Sequence, residues 1–375
     1  MKGRKKLGLT IFLGTIIFIV VMYLIVAFTN VPILSDMRNI WIETAMTTAD
    51  HQWLATKLFP KSVVDKVMSN KIEDSGEVGI TEIKMQKTLT ESSGVVYDFS
   101  DMNENIEKLV NEQEKIEVEE EVQETPKEEG IFSDTDKYGN KVIVNDKEQG
   151  IKIVEVKTVS YTAKLVFIDD PSRVFVADTD TKGTRGKLIL NYLKDNDAII
   201  GINANGFEDY EGKGHGGEII GCSISQGDFW GKYDFSSYTT IGFDNENRLI
   251  VGKLKNPEDY NLRDAAQFKP ALIINGENLM KGSSGWGLQP RTIVAQRADG
   301  VVIFLVADGR QPGYSIGMTM GEAAELLLKY DAVTAAACDG GSSSVLAYDG
   351  KIINSPSTPM ETGRYLPNAF LVKRK

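Results

Sequence analysis

The sequence predicts a domain of the α/β (or α+β) class, a mixed β-sheet with crossover helices, preceded by a transmembrane helix and a helical or flexible stalk. Three observations predict it. Residues 301–307 (VVIFLVA) and 332–337 (AVTAAA) are continuous apolar runs, which read as strands buried on both faces. Between them, Thr319 and Glu322 form a T-x-x-E capping box ahead of a leucine- and alanine-rich helical stretch to about Tyr330. Far upstream, residues 7–28 run for 22 positions without a charge, behind Lys2, Arg4, Lys5 and Lys6.

That uncharged run is long enough to span a bilayer, which takes about 20 apolar residues. Basic flanks stay in the cytoplasm, so the rest of the chain is expected outside the cell membrane, as a single-pass protein. A signal peptide has a shorter apolar core, of about 7 to 15 residues, and no small-x-small cleavage site follows Phe28. Residues 1–30 are therefore a basic tip and anchor. Residues 31–70 carry Ile40, Trp41, Ala45, Met46, Trp53, Leu54, Leu58 and Phe59 at helical spacing, with Pro60 as a break. The two tryptophans suit a lipid interface equally well. Residues 71–135 lose the apolar pattern and read as an acidic, extended linker that lifts the next domain off the surface. Positions 101–129 hold 12 acidic and 3 basic residues, a net of −9 within the chain's −11. The acidity belongs to this tether, and it argues against a nucleic-acid partner, which would need a basic face.

Residues 136–375 form the folded domain. Residues 142–144, 151–159 and 164–168 are β-rich, 184–196 has helical spacing, and 198–202 is a short apolar strand. Asn275-Gly276, Asp299-Gly300 and Asp349-Gly350 sit between apolar runs as two-residue hairpin turns.

The strands share a kind of ending. Strand 301–307 opens onto Asp308-Gly309-Arg310, and strand 332–337 opens onto Cys338-Asp339-Gly340-Gly341-Ser342-Ser343-Ser344. A strand–helix–strand crossover joins parallel strands, so Asp308 and Asp339 are expected on one rim, where open sheets place ligands. Strand 198–202 ends in Asn203-Ala204-Asn205-Gly206 and adds amides to that rim. Hairpin pairing brings Arg291 beside Asp308, while Arg310 and Arg364 supply further guanidinium groups. Three arginines around carboxylates point to an anionic ligand, whose oxygens fit the guanidinium fork. Gly212, Gly214, Gly216 and Gly217 surround His215, with Glu218 as a third carboxylate; the lysine of a phosphate-binding loop is missing. Two histidines exclude a His-rich zinc site; Asp, Asn and backbone oxygens near the rim could take a calcium ion, though no metal-ligand spacing supports one, and no cofactor is expected. Cys222 and Cys338 either pair or fill the core.

Taken in order, NANGF, PRT, ADGR, the S-x-G-M-T helix start, DGGSSS, and Asn354 and Pro356 with the later Arg364 resemble the phosphodiester glycosidase family. The resemblance covers about residues 155–373. It implies hydrolysis of a sugar-1-phosphodiester at the sugar carbon, in a phosphorylated cell-surface glycan, releasing sugar and leaving a phosphomonoester. On that footing Asp339 is the expected nucleophile or base, with Asp308 assisting and Glu218 as the substitute. Arg291 and Arg310 are the expected phosphate ligands. Asn203, Asn205, Gly340, Gly341, Ser342, Ser343, His215 and Arg364 are expected to bind substrate. The family's first motif more often reads N-G-G-F-F, and Ala204, Asn205 and Glu208 depart from it.

Two other functions fit the same residues. A tethered module could hold anionic glycans without cutting them, and turnover by the soluble domain separates the two. A phosphodiesterase could cleave phosphorus–oxygen instead, but such enzymes commonly hold two metals with several histidines. Sugar, aglycone, stereochemical course and oligomeric state are not encoded in any motif.

Overall fold

Apolar strands with no polar face need a layer on both sides, and three sheets with two packed helices supply those layers. The computed structural model describes residues 2–48, 51–72, 76–83, 135–209 and 214–375. Among them, α1 (Lys2–Phe28), α2 (Pro32–Met46), α3 (Trp53–Thr56) and α4 (Lys61–Met68) lead the chain, and α5 (Ile189–Asp195) and α6 (Met320–Lys329) lie among the strands. Most of the expected acidic linker falls outside the described residues, as does Gly212. Val78–Ile80, inside the span expected to be linker, is a strand paired with Leu249–Gly252.

The largest sheet has eight strands, in the order Glu277–Asn278, Ala271–Ile274, Ala332–Ala337, Arg291–Arg297, Val302–Ala307, Thr162–Ile168, Ile151–Lys157 and Lys141–Asp146. A five-stranded sheet follows the order Lys351–Ile352, Leu346–Tyr348, Ala198–Asn203, Asn368–Lys373 and Val174–Asp178. A six-stranded sheet is centred on Thr239–Asp244 and Leu262–Phe268. Pairings among these strands are antiparallel, which puts the domain on the α+β side of the expected class. Val302–Ala307 and Ala332–Ala337 do run the same way, as their crossover requires, but Arg291–Arg297 lies between them and pairs with both. The two strands therefore end on one rim, and the strand between them begins there.

The side-chain alternation divides that sheet between two cores. Val294, Val302, Phe304, Val306 and Ala336 face a shared interior with Ile200, Ile202 and Phe370 of the second sheet and Ile241, Phe243 and Val251 of the third. Ile293, Ala295, Ile303, Leu305 and Ala335 face the other way, onto Ala323, Ala324 and Leu327 of α6. That helix starts where the capping box places it: Glu322 N–H donates to Thr319 Oγ1 at 3.1 Å, and Thr319 N–H donates to Glu322 Oε2 at 2.8 Å. α5 is shorter than its spacing suggests. Lys187 exchanges backbone hydrogen bonds with Leu366, at 2.8 and 3.0 Å, and this extended pairing delays the helix to Ile189.

Asn275-Gly276 and Asp349-Gly350 turn with both residues at positive φ, as a two-residue hairpin requires. The turn at Asp299-Gly300 has three residues instead, because Arg297 N–H bonds Val301 O at 2.9 Å and Gly300 takes the left-handed position at φ 90°. Cys222 and Cys338 are both buried and unpaired with each other, so they are core fillers. Burial pushes the Cys222 thiol up to about 12, far from the thiolate range.

The leading helices form a small assembly of their own. Arg38 donates to the carbonyls of Val26, Ala27 and Thr29 at the end of α1. Ile42, Ala45, Ala55, Val64 and Val67 make a separate apolar cluster among α2, α3 and α4. α2 packs on the loop before Pro290, where Leu288 N–H donates to Thr44 Oγ1 at 3.0 Å and Trp286 Nε1 donates to Ile72 O at 2.7 Å. Among the described residues no single helix is long and apolar enough to cross a membrane; Leu13–Phe28 and Pro32–Met46 pass only as a pair, bent by 81°.

Thr319→Ala removes the oxygen that caps α6, so it is expected to lower stability by about 1 kcal/mol, read from the denaturation midpoint at unchanged slope.

Candidate active site

At the rim, two of the polar strand endings meet at Asn203. This residue is fully buried at the end of the second sheet's central strand. Its Nδ2 donates to Asp339 O at 2.6 Å, and its Oδ1 accepts from Thr292 Oγ1 at 2.8 Å and from Val345 N–H at 3.2 Å. Asp339 N–H returns a bond to Ala204 O at 2.9 Å. One amide thus joins two sheets and clamps both ends of the segment from Asp339 to Val345. Pro290, opening strand Arg291–Arg297, fits between the other endings: Pro290 O accepts from Gly341 N–H at 3.0 Å, and a Cβ on Gly309 would stand 2.7 Å from Pro290 N.

Several expected site residues are hydrogen-bonded within this framework. Asp308 is 1% exposed. Its carboxylate accepts from Tyr314 Oη, Asn354 Nδ2 and Ser355 N–H at 2.9 to 3.0 Å, and Lys164 Nζ stands 3.7 Å away. Its oxygens are thus occupied by donors of the protein itself. Asn205 is also fully buried. Its Nδ2 reaches the carbonyls of Ile220, Cys222 and Gln267, and its Oδ1 accepts from Asn368 Nδ2. Arg291, expected to bind phosphate, donates instead to the carbonyls of Met318, Trp286 and Gly287. Burial, with Arg310 nearby, lowers its guanidinium to about 9. Glu218 and His215 are exposed, and the described bonds of that loop use their backbone carbonyls.

A second group stays open. Asp339 is only partly accessible, and the dense packing around its carboxyl raises it to about 6, against the opposing pull of the Ser343 hydroxyl and the Arg364 cation. Arg364 Nη1 donates to Asp209 Oδ2 at 2.6 Å and to Ser342 Oγ at 3.3 Å, and its guanidinium lies 4.6 Å from the centre of the Phe207 ring. Burial pushes the Asp209 carboxyl up, but Arg364 and the Gly214 N–H outweigh it and hold it below its ordinary value. Arg310, next to Gly341 of the same loop, is exposed and at φ 58°. A Cβ on Gly341 would come within 2.9 Å of Arg310 Nη2, and Gly341 itself sits at φ +60°. The positive φ favours glycine there, and its missing side chain leaves the Arg310 guanidinium room to lie against the loop. The result is a carboxylate of raised pKa on a small-residue loop, with Arg364 near the carboxyl and Arg310 against Gly341.

Asp209 and Gln289 were missed in the sequence. Asp209 directly follows the NANGF-Glu208 stretch, and Gln289 directly precedes Pro290-Arg291, so both had a recognised motif beside them. Neither has a residue pattern of its own. Among the described residues no group of His, Cys, Asp or Glu could hold a metal ion.

Residues 196–373 of this chain match the family model described as phosphodiester glycosidase. Among curated proteins, the SPbeta prophage-derived uncharacterized protein YomE of Bacillus subtilis (strain 168) is 27% identical over 190 residues, 48% of this chain. The match spans 28% of that protein's length. Among solved structures, the catalytic domain of zebrafish N-acetylglucosamine-1-phosphodiester alpha-N-acetylglucosaminidase, described as auto-inhibited by its pro-peptide, superposes with a TM-score of 0.51 and 18% identity. That likeness covers 60% of this chain and 82% of the zebrafish domain, and it shows the shared fold.

Asn205→Leu leaves three buried carbonyls without their donor and is expected to cost about 2 kcal/mol or more. Glu218→Gln, at an exposed position, is expected to leave stability within about 0.5 kcal/mol. Paired thermal melts check both.

Proposed function

We propose that this protein hydrolyses the C1–O bond of a sugar-1-phosphodiester in a cell-surface glycopolymer or glycoconjugate. The observation that carries the reading is the loop itself, where the Asp339 carboxyl lies beside Arg364, with Arg310 across Gly341. In this reading Arg310 and Arg364 hold the phosphodiester oxygens, with the half-buried Ser342 hydroxyl beside Arg364. Ser342 then contacts phosphate or sugar oxygens, while the buried Ser343 hydroxyl holds the Asp339 carboxyl.

Asp339 acts on the anomeric carbon, either by attacking it or by taking the proton of the attacking water. The C1–O bond breaks with its electron pair leaving on the phosphate oxygen, water supplies the hydroxyl to C1, and the products are free sugar and a phosphomonoester. A phosphate leaves readily as an anion, so the site needs cations for it more than a strong acid. Asp209, held ionised by Arg364, keeps that arginine turned toward the loop. The Phe207 ring under the guanidinium fixes its plane.

The same reading places the domain outside a membrane, with the N-terminus in the cytoplasm and the apolar run of α1 as anchor. Exposed Ile33, Met37 and Trp41 on α2, with Trp53 on α3, support a seat in the lipid interface next to that anchor.

Asp339→Asn is expected to abolish release of sugar from an alkyl hexose-1-phosphate while the fold persists; turnover near wild type would remove Asp339 from the chemistry. The pH dependence follows from its raised pKa. As a base or nucleophile Asp339 must be ionised, so kcat/KM is expected to rise with pH to a plateau, with a midpoint near 6. A limb falling through that pH would assign it the acid's role. Stability runs the other way: the folded state favours the protonated form, a contribution present at low pH and lost as pH rises through about 6. Asp339→Asn is therefore expected to melt no lower than wild type at pH 8.

A further inference from the structure

Arg310 owes its position to a residue outside every motif read in the sequence. Gln289 is 3% exposed, and its side-chain Oε1 accepts from Arg310 Nε at 2.7 Å. The other end of the same amide is fixed from the N-terminal helices: Nε2 donates to Thr44 O at 2.9 Å and to Thr47 Oγ1 at 3.1 Å. Both acceptors belong to the last turn of α2 and its C-cap. The contact around them has no slack. A Cβ on Gly287 would lie 2.4 Å from Thr44 N, and one on Gly317 would lie 2.6 Å from Gln289 N.

We propose that Gln289 is a positioning residue for Arg310 and that α2, which lies before the family-matched stretch, is a working part of the site. This role rests on the phosphate-binding part given to Arg310 under the proposed function. An arginine side chain has four rotatable bonds, and an exposed one spends most of its freedom away from any one geometry. A buried acceptor on Nε removes much of that freedom and sets the guanidinium against Gly341. Pre-paying this ordering favours anion binding without adding a ligand contact. Because Arg38 of α2 also closes the end of α1, the clamp is linked by hydrogen bonds to the proposed membrane anchor.

The test is a double-mutant cycle on the full chain in detergent, following kcat and KM for an alkyl hexose-1-phosphate and Kd for inorganic phosphate. Gln289→Met, close in size but without the acceptor, is expected to raise KM and Kd about tenfold while kcat changes less than about twofold. In an Arg310→Ala background the same substitution is expected to change either constant less than about twofold. Gly287→Ala, which wedges α2 away, is expected to reproduce the KM effect. Equal effects of Gln289→Met with and without Arg310 would overturn the positioning role, and an unchanged KM in Gly287→Ala would remove α2 from it. Should Gln289→Met not fold, Thr47→Val takes its place, with a rise of about two- to threefold that again vanishes in Arg310→Ala. If wild type turns nothing over but the cycle holds in phosphate affinity, the proposed reaction falls and the positioning stands. Turnover with simply multiplied effects keeps the reaction and overturns the positioning. Neither turnover nor phosphate binding would remove both.

Discussion

The site depends on a buried amide. Asn203 has no access to solvent, and it spends its donor on Asp339 O and its acceptor on Thr292 Oγ1 and Val345 N–H. In a dry interior such bonds cost most when one partner is lost, because the remaining group cannot turn to water. That penalty keeps the ends of two sheets in register. The segment from Asp339 to Val345 is held at both ends, so its glycines do not make it floppy. Rigidity comes from the frame and permissiveness from the residues.

Around that clamp, polar residues divide by exposure rather than by type. Asp308, Asn205 and Arg291 look as chemically able as Asp339, Ser342 and Arg310, yet their hydrogen-bonding groups are turned inward onto the protein. Their described hydrogen bonds hold strand ends together. Asp339 differs because its surroundings disfavour its charge while leaving it partly accessible, which tunes a carboxylate toward neutral pH. Its neighbour Asp209 is pushed the opposite way by Arg364. Two carboxylates driven apart in this manner commonly mark divided chemical roles.

Much of this was legible in the chain itself. Apolar runs such as VVIFLVA announced strands covered on both faces, and the Thr319–Glu322 box placed α6 to the residue. The common rim of Asp308 and Asp339 followed from the crossover alone, even though an antiparallel strand turned out to lie between. Burial was not legible. Nothing in ADGR or NANGF distinguishes a carboxylate saturated by Tyr314, Asn354 and Ser355 from one facing a ligand, since those partners arrive from other segments. Arg364 and Asp209 lie 155 positions apart, and no periodicity reports a contact of that span. The seat of α2 on the loop before Pro290 was hidden for the same reason. An amphipathic helix shows that it has a face to bury, not what it buries it against.

The proposed chemistry stands or falls on which bond is cut. Hydrolysis of a sugar-1-phosphodiester in water enriched in oxygen-18 reads this directly from the masses of the two products. Attack at the sugar carbon, as proposed for Asp339, puts the heavy oxygen in the released sugar and leaves the phosphomonoester unlabelled. Label in the phosphate would contradict it, and would make the rim of Asp339 a site for chemistry at phosphorus instead.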